Sequence, residues 1–169
     1  MGLTMGAESR LLELDLVLGV RAQPVANYRV AVASGSLLFV SGHGPVHANG
    51  AMLQGKVGDL LTFEQGYDAA RLVGMGLLST LRAELGSLDR VTRVVKVLGM
   101  VNCAPGFNRM PEVIDGCSDL LFDVFGKERG RHARSAIGVA ELPFDIPVEI
   151  EMICEFEGVW FDTGDRTSR

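Results

Sequence analysis

The chain has 169 residues, 47% of them apolar and 22% charged, which suits a single globular domain long enough to bury a core. A net charge of −5 with no basic stripe argues against a nucleic-acid partner, and no apolar run is long enough to span a membrane. Three widely spaced cysteines (Cys103, Cys117, Cys154) read as reduced thiols, and the start lacks a basic n-region while Glu13 and Asp15 interrupt its apolar part, so a cytoplasmic protein is expected.

Residues 7–19 (AESRLLELDLVLG) suit a short amphipathic helix ended by Gly19. YRVAVAS and LLFVSGHGP read as two strands joined by a turn at SGS, and LQGKVG, after the Asn49-Gly50 turn signal, reads as a short third strand. Apolar spacing predicts a helix over 61–85 stopped by Gly86, with Gly66, Gly74 and Gly76 permitting close packing on the sheet. A strand over 91–101 follows, then a helix over 111–126 with Pro111 in its first turn and Gly126 past its end. Two more strands are expected near 133–140 and 147–157, and the polar tail over 162–169 reads as a flexible end. The fold class expected is α+β, a two-layer sandwich of one mixed sheet with two helices on one face. It forms a single domain over 1–169, made of an N-terminal helical extension (1–25) and a core (28–157).

The last two strands carry the functional signal. In 147–156 one face is Val148, Ile150, Met152, Cys154 and Phe156, the face helices cover. The other carries Glu149, Glu151 and Glu155. In 133–140, Arg134 shares a face with Ala136, Gly138 and Ala140, and these small residues suggest an uncovered face left for another subunit. If LPFDIP closes a hairpin, Arg134 and Glu149 lie five or so residues apart along it, roughly 16 Å at ~3.3 Å per residue. One chain could not bring both to one small ligand, whereas neighbouring chains of a closed oligomer could.

The run LLFVSGHGP, then VVKVLGMVN, then HARSAIGVAELP followed by VEIE resembles the reactive-intermediate deaminase (RidA) or YjgF family, older label L-PSP endoribonuclease, from about Tyr28 to Phe156. The resemblance implies a chorismate-mutase-like fold and a homotrimer with inter-subunit clefts. It implies hydrolysis of enamine or imine intermediates such as 2-aminoacrylate to a 2-keto acid and ammonia, with no metal or cofactor. By the same resemblance Arg134 binds the substrate carboxylate and Glu149 positions the attacking water. Tyr28, the Gly42 backbone, His43 (where the family has an amide) and Ala136 (where the best-known branch has a cysteine) line the pocket. His132 replaces the usual proline and is expected at the rim as a proton carrier. Pro111 stands where an asparagine is usual.

Plainer readings stand beside these. Arg134 also suits a structural ion pair, Glu149 and Glu151 a solvated strand face, and Tyr28 an ordinary strand aromatic. His43, His47 and His132 match no closed metal motif, and FVSGHG lacks the first glycine of a nucleophile elbow. A non-catalytic sensor of small carboxylates would use the same arginine, and an endoribonuclease is opposed by the negative charge.

Overall fold

A computed structural model describes residues 6–19, 22–24 and 26–160. The predicted tail over 162–169 lies outside the described residues. The elements are α1 (Ala7–Glu13), β1 (Ala31–Ser34), β2 (Leu37–His43), α2 (Phe63–Leu85), β3 (Val91–Asn102), α3 (Met110–Gly130), β4 (Ala133–Val139) and β5 (Val148–Phe156). The strands form one mixed sheet in the order β1-β2-β5-β3-β4, in which β3 and β4 are parallel and the other neighbours antiparallel. One face carries the helices, and Leu38, Val40, Val94, Val97, Ile150 and Met152 meet α2 and α3 across it in a single core. The fold is the expected α+β sandwich.

Local chemistry sets the boundaries. Thr62 caps α2 in a reciprocal capping box with Gln65, and Gly86 closes it in the left-handed conformation at φ 82°. α1 stops at Glu13, earlier than Gly19, because Asp15 turns to φ 51°. It belongs to the core, since Ala7 and Leu11 are buried and Glu8 takes hydrogen bonds from Arg82 Nε and Nη2 and from the Leu88 amide. LQGKVG is not a strand. Gly55 (φ 114°) and Gly58 (φ 87°) break it, leaving Val57 in isolated bridges to Leu61 and Cys103. α3 runs past Gly126, which interrupts it with φ 75°. Gly66 and Gly74 of α2 give space to Val113, Cys117 and Leu120 of α3, and only Gly76 faces the sheet, at His43.

The expected hairpin between the last two strands does not form. β4 joins the sheet edge parallel to β3, across the crossover helix α3, while β5 inserts between β2 and β3. LPFDIP is a 3-10 turn with Phe144 and Asp145 both left-handed, at φ 59° and 56°. Fully buried Asn102 secures it, donating to Asp145 Oδ1 at 3.0 Å and accepting from Lys56 Nζ at 2.6 Å.

The pairing corrects the face assignment as well. Val97, Gly99 and Val101 lie opposite Arg134, Ala136 and Gly138. Val97 and Val101 are fully buried beneath the helices, so Arg134, Ala136 and Gly138 are on the helix face. Glycine is needed on this side: a Cβ at Gly138 would press on Cys103 Sγ, and one at the neighbouring Gly99 of β3 on Ile114 of α3. Glu149 lies opposite Met100 and Glu151 opposite Leu98, on the uncovered face.

The α2–α3 contact depends on Gly116, where a Cβ would run into the Tyr67 carbonyl and Arg71 amide of α2. Gly116→Ala should destabilise the protein by about 2 kcal/mol, as overpacking does. Urea unfolding measures this. A gain of about 1 kcal/mol, the helix-propensity effect alone, would contradict the packing account.

Candidate functional site

Arg134 opens β4 at the sheet edge, beside the middle of α3. Its Nη1 donates to Asp115 Oδ1 at 2.7 Å and to Ser118 Oγ at 2.9 Å. These partners are three residues apart on α3, so they share one helix face. The Arg134 side chain is 23% exposed and Asp115 44%, which leaves the guanidinium partly desolvated but within reach of a ligand. Both bonds run from Nη1, and Arg134 also lines a pocket.

That pocket has a volume of about 570 Å³, and Ser118, Asp119, Phe122, Arg131, His132 and Arg134 line it. Arg131 lies 5.8 Å from the centre of the Phe122 ring, a cation–π contact. Tyr67 of α2 donates to Asp119 Oδ2 at 2.9 Å, and this bond pushes the tyrosine's pKa up. His132 Nδ1 is 2.7 Å from the Gly130 carbonyl and its Nε2 is 3.1 Å from Ser118 Oγ. A carbonyl can only accept, so Nδ1 carries the proton and Nε2 accepts from the Ser118 hydroxyl. Burial first, and Arg134 nearby as a lesser cause, push the His132 pKa down. Ala136 follows on the same face, packed on the core.

Glu149 occupies the opposite side of the sheet. The β2–β5 register slips between Val40 and His43, and this bulge brings Gly42 over the Glu149 carboxylate. A side chain at position 42 would collide with Glu149 Oε1, so glycine is required there. Burial, and then Glu151, raise the Glu149 pKa. Tyr28, 46% exposed, precedes the stretch that runs beside Ser41, whose amide donates to the Val30 carbonyl and whose hydroxyl donates to that of Arg29. Gly42 and Glu149 thus meet on one side of the sheet, and Arg134 and Ala136 lie on the other, with His132 beside Ser118 there.

His43 joins neither group. It is buried, with Nδ1 2.7 Å from the Ser41 carbonyl and Nε2 2.8 Å from Thr80 Oγ1. It pins β2 to α2, because the bulge that exposes Gly42 points the next side chain inward. The thiols of Cys117 and Cys154 are pushed up to about 12 by burial and stay protonated. Sequence reasoning missed Asp115, Ser118, Asp119 and Arg131. The available signal was the set 115, 118, 119 and 122 at helical spacing, together with the basic residue after the helix.

The fold agrees with what sequence comparison finds. The family described as "YjgF/chorismate mutase-like, putative endoribonuclease" matches residues 8–155. The chain belongs to this YjgF family. Protein TCP17 of Trypanosoma cruzi is 44% identical over 147 residues, 87% of this chain and 92% of that protein. The solved structure of Atu1372 from Agrobacterium tumefaciens, a protein of unknown function, superposes with a TM-score of 0.82 at 39% identity, covering 89% of this chain and 92% of that one. A Shewanella oneidensis MR-1 structure, also described as a "putative endoribonuclease", gives 0.85 at 31% identity, covering 90% and 100%.

Burial lowers the His43 pKa, so between its ordinary value of ~6.5 and the folded value the unfolded state binds more protons. Stability is therefore full above about pH 7 and is lost as pH falls below ~6.5. Thermal unfolding from pH 7.5 to 5.5 should show the midpoint dropping, with a shallower slope in His43→Gln and a shallower one still when His132→Gln is added. Equal slopes in all three proteins would contradict the buried, neutral histidines.

Proposed function

We propose that the protein is a homotrimeric hydrolase of small enamine and imine carboxylates, of the 2-aminoacrylate type, giving a 2-keto acid and ammonia. The observation that carries this reading is the guanidinium of Arg134, fixed by Asp115 and Ser118 and facing a pocket. Glu149 lies on the far side of the same sheet, so a site using both draws on two copies. The uncovered face supports association: Val32, Phe39 and Ile137 are 47%, 42% and 45% exposed there, beside Leu98, Met100 and Ile153. Apolar side chains grouped on one sheet face favour burial against another surface.

In the reaction, Arg134 grips the substrate carboxylate through parallel N–H···O bonds, a geometry lysine does not reproduce. This holds the electrophilic imine carbon at a fixed place and converts an encounter into an oriented attack. Glu149 of the neighbouring copy holds the attacking water and accepts its proton, a role that its raised pKa favours. Tyr28 and the Gly42 backbone close the Glu149 side. The endoribonuclease label carried by some relatives fits less well, because a net charge of −5 opposes a polyanionic substrate.

Ammonia release from freshly generated 2-aminoacrylate tests the proposal. Arg134→Ala should lower kcat/KM by about 100-fold or more, the loss from removing a charged carboxylate anchor. Glu149→Gln should lower kcat by about 100-fold while a 2-keto acid still binds. Keto-acid binding without ammonia release in the wild type would make the protein a carboxylate sensor. Phe39→Asp should give a monomer by light scattering and abolish activity, and an active monomer would refute the shared site.

A further inference from the structure

The Arg134 pocket contains a histidine whose hydrogen-bond polarity is set by its surroundings. The chain of donors runs from Arg134 Nη1 to Ser118 Oγ (2.9 Å), from Ser118 to His132 Nε2 (3.1 Å), and from His132 Nδ1 to the Gly130 carbonyl (2.7 Å). In this state the imidazole is neutral and the Ser118 hydrogen is spent on it. If Nε2 gains a proton the order reverses. Ser118 Oγ then accepts from both Nε2–H and Arg134 Nη1–H, and its own hydrogen becomes free to donate into the pocket.

The charges around His132 decide which state is occupied. Arg131 and Arg134 flank it in sequence. From α3 come Asp115, bound to Arg134, and Asp119, bound to Tyr67 of α2, with Arg71 of α2 nearby. Each carboxylate already has a partner, so neither is left to stabilise an imidazolium, and the ring is neutral. A bound carboxylate adds a negative charge beside Arg134 and removes part of what opposes the imidazolium.

We infer that a carboxylate binding at Arg134 draws a proton onto His132, and that Ser118 then donates to the bound ligand. The inference rests on the proposed role of Arg134 and adds a source for the third hydrogen of the departing ammonia. After water adds to the iminium carbon, Ser118 gives its proton to the amine nitrogen and takes the Nε2 proton. His132 returns to neutral. The C–N bond breaks with its electron pair on nitrogen, and the carbinol oxygen yields its proton to solvent as the C=O bond forms.

Calorimetry of pyruvate binding at pH 7, in two buffers of different ionisation enthalpy, counts the protons taken up. Wild type should take up a fraction of one proton, and its affinity should rise from pH 8 to pH 6 by at most about tenfold per unit, the limit for one linked proton. His132→Gln should bind with no uptake and no pH dependence. If that variant fails to fold, nuclear magnetic resonance of the wild-type histidines should show the His132 pKa moving up when pyruvate is added. Binding with no proton uptake and an unmoved His132 would overturn this inference and leave the Arg134 assignment intact. Failure of pyruvate to bind would overturn both, and ammonia release in the previous assay reports on the deaminase reading separately.

Discussion

The parallel pairing of β4 with β3, in the register that sets Arg134 beside Val97, is the constraint from which the rest of the site follows. A side chain paired with a buried valine on the helix side must itself point to the helix side. At the sheet edge, that direction leads to the exposed flank of α3. There Asp115 and Ser118 meet the guanidinium and leave it incompletely buried, a position that suits a ligand better than a core ion pair would. The same sheet sends Glu149 to the opposite face, three residues further along β3 at Met100. No rotamer change within one chain reverses that separation, because strand parity fixes it.

Two glycines translate this backbone plan into a site. Gly42, at the β2 bulge, admits the Glu149 carboxylate close to the main chain, and Gly116 lets α3 lie on α2 so that Asp115 and Ser118 stand where Arg134 arrives. Around them, the buried side-chain polar atoms of the described residues are hydrogen-bonded, Trp160 Nε1 excepted. His43 links β2 to α2, Asn102 links Lys56 to the turn before β5, and Glu8 ties α1 to Arg82. Of these, the Asn102 bonds hold the turn that leads into β5.

Much of the fold was legible because its signals are local. Thr62, Gln65 and Gly86 mark the ends of α2, and alternation along 148–156 marks the covered face of β5. The misjudged points depend on long-range choice. LPFDIP resembles a hairpin turn, and nothing within those six residues says that β5 will insert between β2 and β3. Small residues beside Arg134 look the same whether a subunit or a helix requires the room. Here the helix side does, through Cys103 and Met110 at Gly138. The resemblance places His43 in the pocket, where the family has an amide, yet one step along a bulged strand turns a side chain from the outside to the core. Asp115 and Ser118 carried too weak a signal, since polar residues on an amphipathic helix usually face water.

The proposed site is divided between copies, and subunit mixing addresses that division directly. Arg134→Ala and Glu149→Gln proteins, each inactive alone, would be unfolded together and refolded at equal amounts. If each cleft takes its arginine from one copy and its acid from the next, random mixing restores about a quarter of wild-type sites, read as ammonia release from 2-aminoacrylate. Mixed oligomers that form and remain inactive would contradict the account.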